Sequence, residues 1–389
     1  MAASILRRGP RLKAMNQAGT LSTATDIQTP PDAHSEAHSR LREIEHTLKQ
    51  KPFQPHSLFT NGHAQTIAAF AWPRRRILRA ARQDEARTFE VEPGVRVLAH
   101  CRWQIDRRAH PTLIAVHGLE GSSESRHVLG TAHKAFDAGF NTLRLNLRTC
   151  GDTQHLTPTL YHSGMTCDLL AVVRELIAKD GLTDIFLGGY SLGGNMSLKL
   201  AGDEGERLPR ELRAVFAVSP PIDLAACAEA IRWRANWIYQ YDFLRRLRRR
   251  LRIAHKLYPD RYDLRALHTV RTIREFDARF TAPAGGYRDV DDYYARASAL
   301  SRITDIHRPT LVIHAQDDPF VPFASFRDPR LTINPFVILL TPPHGGHVGF
   351  VAADANGQED RFWAENRVVE FCQLVFERNR RQKTESSRQ

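Results

Sequence analysis

The chain is short of the residues that staple or anchor a protein. Only five of its 389 residues are cysteine, at positions Cys101, Cys150, Cys167, Cys227 and Cys372. The number is odd and no two form a C-x-x-C pair, which argues against a disulfide framework. Such usage fits a reducing compartment, so the expected location is cytoplasmic. Long apolar runs are missing as well: nothing approaches the roughly 20 residues of a membrane span. The opening MAASILRRGPRLK is basic but leads into no apolar segment, a poor secretory signal. There is no H-E-x-x-H and no Cys/His pairing at ligand spacing, so neither a metal nor a cofactor is expected. Acidic residues are outnumbered, 43 Asp and Glu against 55 Lys and Arg, for a formal net charge of +12. That balance favours anionic partners. The excess is mostly arginine, dispersed, and without a nucleic-acid motif, so nucleic acid is not an expected partner. Peripheral contact with an anionic membrane surface is compatible with it.

What is present is ordinary globular composition, 42% hydrophobic and 25% charged. Residues 1–50 are polar and are expected to form a mobile, disordered tail with one helical stretch over 39–50. The folded domain is expected over 51–380. Residues 88–92 and 95–103 read as two antiparallel strands around Pro93-Gly94. Short apolar runs follow at 112–116, 141–147, 184–187, 214–218, 310–315 and 336–340. Helical segments lie between them, notably 165–178 and 194–201, and a helix over 361–378 closes the chain. Strand alternating with helix predicts an α/β fold with a mostly parallel sheet and helices on both faces. Residues 222–300 break the rhythm and are expected to be a helical lid over the C-terminal strand ends, where such sheets bind ligands.

Gly189-Tyr190-Ser191-Leu192-Gly193 fits G-x-S-x-G after a strand and before a helix. A serine on that turn is strained and exposed, and flanking glycines avoid collisions across it. Ser191 is therefore the candidate nucleophile. The Leu192 amide, at the helix start, is one expected oxyanion donor. Leu119 in the loop His117-Gly118-Leu119-Glu120-Gly121 is the second, with Gly118 close behind. His117, Gly118 and Tyr190 are expected to contact substrate. A loop after the last strand offers His347, with His344 in competition. A loop after 310–315 offers Asp317 and Asp318. The order serine, aspartate, histidine is that of the α/β-hydrolase fold. A serine at the elbow argues against dehalogenase or epoxide hydrolase chemistry, which on this fold uses a carboxylate nucleophile. In the segment 222–300, Trp233, Trp237, Tyr241, Leu244 and Leu251 form an apolar stripe expected to pack inward. Arg234, Arg245, Arg246, Arg248, Arg249, Arg250 and Arg252 lie on the other face, expected to be solvated.

With Asn61-Gly62-His63-Ala64-Gln65-Thr66, His117 to Ser122, Tyr161-His162-Ser163-Gly164, Asp292-Tyr293-Tyr294, Asp317-Asp318-Pro319-Phe320 and Gly345-Gly346-His347-Val348-Gly349-Phe350, the chain resembles α/β-hydrolase family 4 over roughly 52–376. This group holds the YheT-like bacterial hydrolases and the yeast medium-chain acyl-ethanol acyltransferases. The resemblance selects His347 as base and Asp318, followed four residues on by Pro322, as its acid. It implies an acyl ester as substrate, a lipid included, and an acyl-enzyme on Ser191. The expected activity is hydrolysis of esters with short to medium acyl chains. The alternatives are acyl transfer to an alcohol by the same triad and a non-catalytic basic module that binds membrane or nucleic acid. Residues 61–66 either line the pocket or anchor the N-terminal segment through buried hydrogen bonds.

Overall fold

The computed structural model describes residues 33–74, 77, 81, 84–353 and 359–386. Residues 1–32, most of the expected tail, lie outside these. Eight strands form one sheet: β1 (Glu85–Glu92), β2 (Val95–Arg102), β3 (Thr112–Val116), β4 (Asn141–Leu145), β5 (Ile185–Tyr190), β6 (Leu212–Val218), β7 (Thr310–Ile313) and β8 (Val337–Leu340). Their order across the sheet is β1-β2-β4-β3-β5-β6-β7-β8. β1, β2 and β4 pair antiparallel, and every pairing from β4 to β8 is parallel. β3, β4 and β5 are buried at every residue. β3 and β5 accordingly read as nearly continuous apolar runs, whereas β4 buries Asn141, Thr142 and Arg144, with Asn141 and Arg144 bonded to neighbouring segments.

Successive side chains of a strand point to opposite faces, so one strand feeds two cores. Ile114, Val116 and Leu187 pack with the helices Cys167–Asp180 and Leu192–Glu204. Leu113, Ala115 and Phe186 pack on the other side with Arg126–Asp137 and Trp363–Ser386. In chain order the helices used below are α1 (Ala33–Lys49), α2 (Gly62–Ala71), α3 (Arg126–Asp137), α4 (Cys167–Asp180), α5 (Leu192–Glu204), α6 (Leu224–Ala230), α7 (Trp237–Leu257), α8 (Val290–Ala297) and α9 (Trp363–Ser386).

Three features differ from the sequence reading. The helical stretch expected within the tail is α1, a built part of the domain: Leu41, Ile44 and Leu48 are buried in the core that α9 shares. Its anchor residues on α9 lie more than 300 positions away, beyond any local signal. β5 runs on through Gly188 and Gly189, where a turn was expected. A Cβ on Gly188 would stand 2.2 Å from the Phe216 carbonyl oxygen, so glycine here permits close strand approach.

The third concerns α7. Its packed face is Leu244, Leu247, Leu251 and Ala254, set against Tyr262, Leu267, Val270 and Phe276. Trp233, Trp237 and Tyr241 of the expected inward stripe are exposed, and Arg250 of the expected solvated face is buried. The aromatic spacing concealed that Leu247 and Arg250 share the buried arc. Among the described residues no helix is long and apolar enough to cross a membrane.

Candidate active site

β5 ends at Tyr190, and the next residue, Ser191, sits at φ 51° and ψ −122°, a costly conformation for a residue with a Cβ. The surroundings impose it. The Ser191 N–H donates to the Val218 carbonyl at 2.8 Å, and its own carbonyl accepts from Asn195 at 3.0 Å to start α5. The loop after β3 passes directly beneath, so close that a Cβ on Gly118 would lie 3.0 Å from the Ser191 Cβ. The Leu192 amide belongs to the first turn of α5 and has no helical acceptor. Leu119, Leu192 and Ser191 all line one cavity of about 120 Å³.

Asp318 follows β7 and is buried. Its Oδ1 accepts from the backbone N–H groups of Phe320 at 3.1 Å and Val321 at 2.9 Å. Its Oδ2 lies 2.8 Å from His347 Nδ1. This arrangement assigns the proton to Nδ1 and leaves Nε2 as the basic end of the ring. Burial works to raise the Asp318 pKa. The adjoining His347, and more distantly His314, outweigh it and hold the carboxyl below the usual range.

The His347 loop is tied at both flanks. The His347 N–H donates to Thr66 Oγ1 at 2.9 Å and the Val348 N–H to Ser219 Oγ at 3.1 Å. The Ser191 and His347 segments therefore hang from consecutive residues at the end of β6, Val218 and Ser219. The Phe320 ring packs on the imidazole with centroids 4.1 Å apart. Among the described residues no hydrogen bond joins Ser191 Oγ to the ring, a contact that commonly tightens only around substrate.

The competing residues form a separate pair. Asp317 Oδ2 lies 3.2 Å from His344 Nδ1, and its Oδ1 accepts the Gly346 N–H at 2.8 Å. Asp317 thus braces the turn that carries His347. Residues 61–66 brace it from the other side. A Cβ on Gly62 would come within 1.9 Å of the Asp317 carbonyl oxygen. The buried Gln65 amide spans Phe59 O and both backbone groups of Val351. None of these residues lines the cavity.

His117 and Tyr190, expected to touch substrate, do not face the cavity. His117 Nε2 accepts the Leu147 N–H at 3.1 Å, so its Nδ1 donates to the Gly118 carbonyl at 2.7 Å. Burial pushes its pKa down to about 4, which keeps the ring neutral. Tyr190 points to the opposite face of the sheet, where its hydroxyl meets Thr131. Gly118 stays beside Ser191 as backbone support.

Other residues were given no role at the sequence level. Arg250 of α7, buried, forms an ion pair with Glu120 of the loop that carries Leu119. The Glu120 N–H donates to Tyr161 Oη at 2.8 Å, and the guanidinium lies 4.2 Å over the Tyr161 ring. An acidic residue inside a closely packed loop was the available signal, since a buried carboxylate requires a partner. Asp277 also faces the cavity, accepts from the Tyr294 hydroxyl at 2.9 Å, and is pushed up to about 6 by burial. Glu92, Cys167 and Asp168 lie close enough together to suggest a metal. However, Arg148 is already bonded to both oxygens of Asp168, at 2.7 and 2.5 Å, and lies 2.9 Å from Glu92.

The model of the alpha/beta hydrolase fold matches residues 111–354. The chain belongs to this family. It is similar to the candidate esterase YheT of Escherichia coli, 35% identical over 69% of this chain and 78% of YheT. It is similar to the monoacylglycerol lipase of Saccharomyces cerevisiae, 32% identical over 69% of this chain and 60% of the lipase. It is also similar to the phospholipase ABHD3 of Mus musculus, 30% identical over 64% of this chain and 60% of that protein. These relatives carry the names of an esterase and of lipases, and this chain shares their family.

Proposed function

We propose that this α/β-hydrolase is a serine esterase that cleaves carboxylic esters of short to medium acyl chains through an acyl-enzyme. His347 Nε2 takes the Ser191 proton as Oγ attacks the ester carbonyl. The backbone N–H groups of Leu119 and Leu192 receive the oxyanion, and Asp318 stabilises the imidazolium. The imidazolium then protonates the leaving alcohol, and water, activated by the same ring, releases the acid. The observation that carries this reading is the Asp318–His347 hydrogen bond, on a loop tethered to Ser219, the residue after the Val218 that holds the strained Ser191. The mainly apolar walls of the cavity suit an acyl chain. Residues 222–300 serve as the lid, supplying Leu224, Phe243, Leu247 and Tyr294 to those walls.

An active-site-directed fluorophosphonate tests the assignment. Rapid labelling of the wild type that is lost in Ser191→Ala is the expected result, and an unlabelled wild-type protein overturns it. A p-nitrophenyl ester series should then favour short to medium chains, and clearly faster turnover of long chains would remove the substrate assignment. Analysis of products with added ethanol separates hydrolysis from acyl transfer.

A further inference from the structure

Ten large apolar side chains are strongly exposed among the described residues, and seven fall in two segments: Leu58, Ile67 and Phe70, and Trp233, Trp237, Ile238 and Tyr241. These segments are neighbours in space. The His63 ring of α2 stacks on Tyr239 of α7, with centroids 5.7 Å apart and planes 7° from parallel. Ile67 and Phe70 follow His63 by four and seven residues, on the same flank of α2. Ile238 adjoins Tyr239. The two segments thus lie side by side, and on α7 Trp237, Ile238 and Tyr241 form an exposed apolar patch, with Trp233 and Trp237 each 63% exposed. Contiguous exposed apolar area of this kind marks an interaction surface.

The outer side of α7 carries this face into a cationic one. Ile238, Tyr241, Arg245, Arg249, Arg252 and Lys256 recur at spacings of three and four along it, so they share one helix flank. Arg245 is paired with Asp242. Arg234, Arg249, Arg252 and Lys256 are exposed and have no carboxylate partner among the described residues. The inner side of the same helix supplies Phe243, Leu247 and Arg250 to the cavity wall.

We propose that this face docks the protein on an anionic phospholipid bilayer. Tryptophan and tyrosine settle at the headgroup level, apolar ring inward and polar edge to water, and arginine pairs with phosphate. The charge decides the occupant. A second copy seated on the same face would desolvate four unpaired cations without offering a carboxylate, whereas anionic lipid supplies the countercharge. Docking is independent of the serine chemistry, so Ser191→Ala protein binds as the wild type does.

The test is co-sedimentation of the full chain with phosphatidylcholine vesicles, with and without about one-third phosphatidylglycerol. The expected result is binding to the anionic vesicles that weakens about tenfold or more as salt rises from about 0.05 to 0.5 M. Trp233→Ala/Trp237→Ala/Tyr241→Ala should reduce partitioning about tenfold or more. Arg249→Gln/Arg252→Gln should remove most of the preference for anionic vesicles. Both variants should keep the wild-type thermal midpoint within a few degrees, which establishes that they fold. The proposal is overturned if the wild type ignores anionic vesicles or if the folded aromatic variant binds undiminished. It is equally overturned if the aromatic substitutions convert a dimer to a monomer while vesicle binding stays absent.

Discussion

Asp317 and Asp318 are identical in chemistry and adjacent in sequence, and the fold gives them opposite tasks. Asp318 is buried, held by two backbone amides and bonded to His347 Nδ1. Asp317 is half-exposed and ties His344 to the turn. Asp318→Asn is therefore expected to lower kcat on the order of 10³–10⁴-fold with little change in KM, by disturbing the histidine tautomer. Asp317→Asn should cost less than about tenfold, and steady-state kinetics on one soluble ester compares the two. The elbow at Ser191 was legible because the positions two before and two after it, Gly189 and Gly193, have no room for a Cβ, so the crowded turn leaves a trace in the sequence. His117 was misread for the opposite reason. Its ring is consumed by the amide of Leu147, 30 residues further on, and nothing near His117 announces that partner.

At the scale of elements, two contacts between segments distant in sequence position the site. α2 enters against the Asp317 backbone through Gly62, where a side chain has no room. Gly62→Ala must move one backbone relative to the other. It should cost about 1–3 kcal/mol of stability, read from denaturant unfolding, with a fall in kcat as the Asp318 loop shifts. The second contact is Arg250–Glu120, which fastens α7 to the loop bearing Leu119. Removing one partner leaves a buried charge, so Arg250→Met should destabilise by about 3–5 kcal/mol. The double change Arg250→Met/Glu120→Gln should recover much of that loss, and unfolding midpoints of the three variants form the test. The sequence marked 222–300 as helical and amphipathic but assigned the faces of α7 wrongly. Hydrophobic spacing locates a helix, whereas a buried ion pair overrules the rule that arginine faces water, and its acid lies 130 positions away.

For the molecule as a whole, the sheet was the most legible feature, because strands buried on both faces, such as β3 and β5, are mostly apolar. The docking of α1 on α9 was not, since it depends on surfaces that meet only after folding. The folded state also confines neutral histidines. His117 and His314 are fully buried, and burial pushes both down to about 4. The unfolded chain binds protons at these sites from about pH 6.5 downward and the native chain does not. Stability should therefore fall as pH drops from about 6.5 to 4, by up to about 3 kcal/mol per ring, and calorimetry across that interval checks the slope.

One tether bears on how the molecule comes into being. Thr66, from the first quarter of the chain, holds the backbone of His347, 281 residues later. During synthesis Ser191 emerges well before His347, the proposed base, which must then seek out a helix made long before. Under the proposed mechanism a nascent chain therefore holds no assembled triad until the segment that carries His347 has docked on α2.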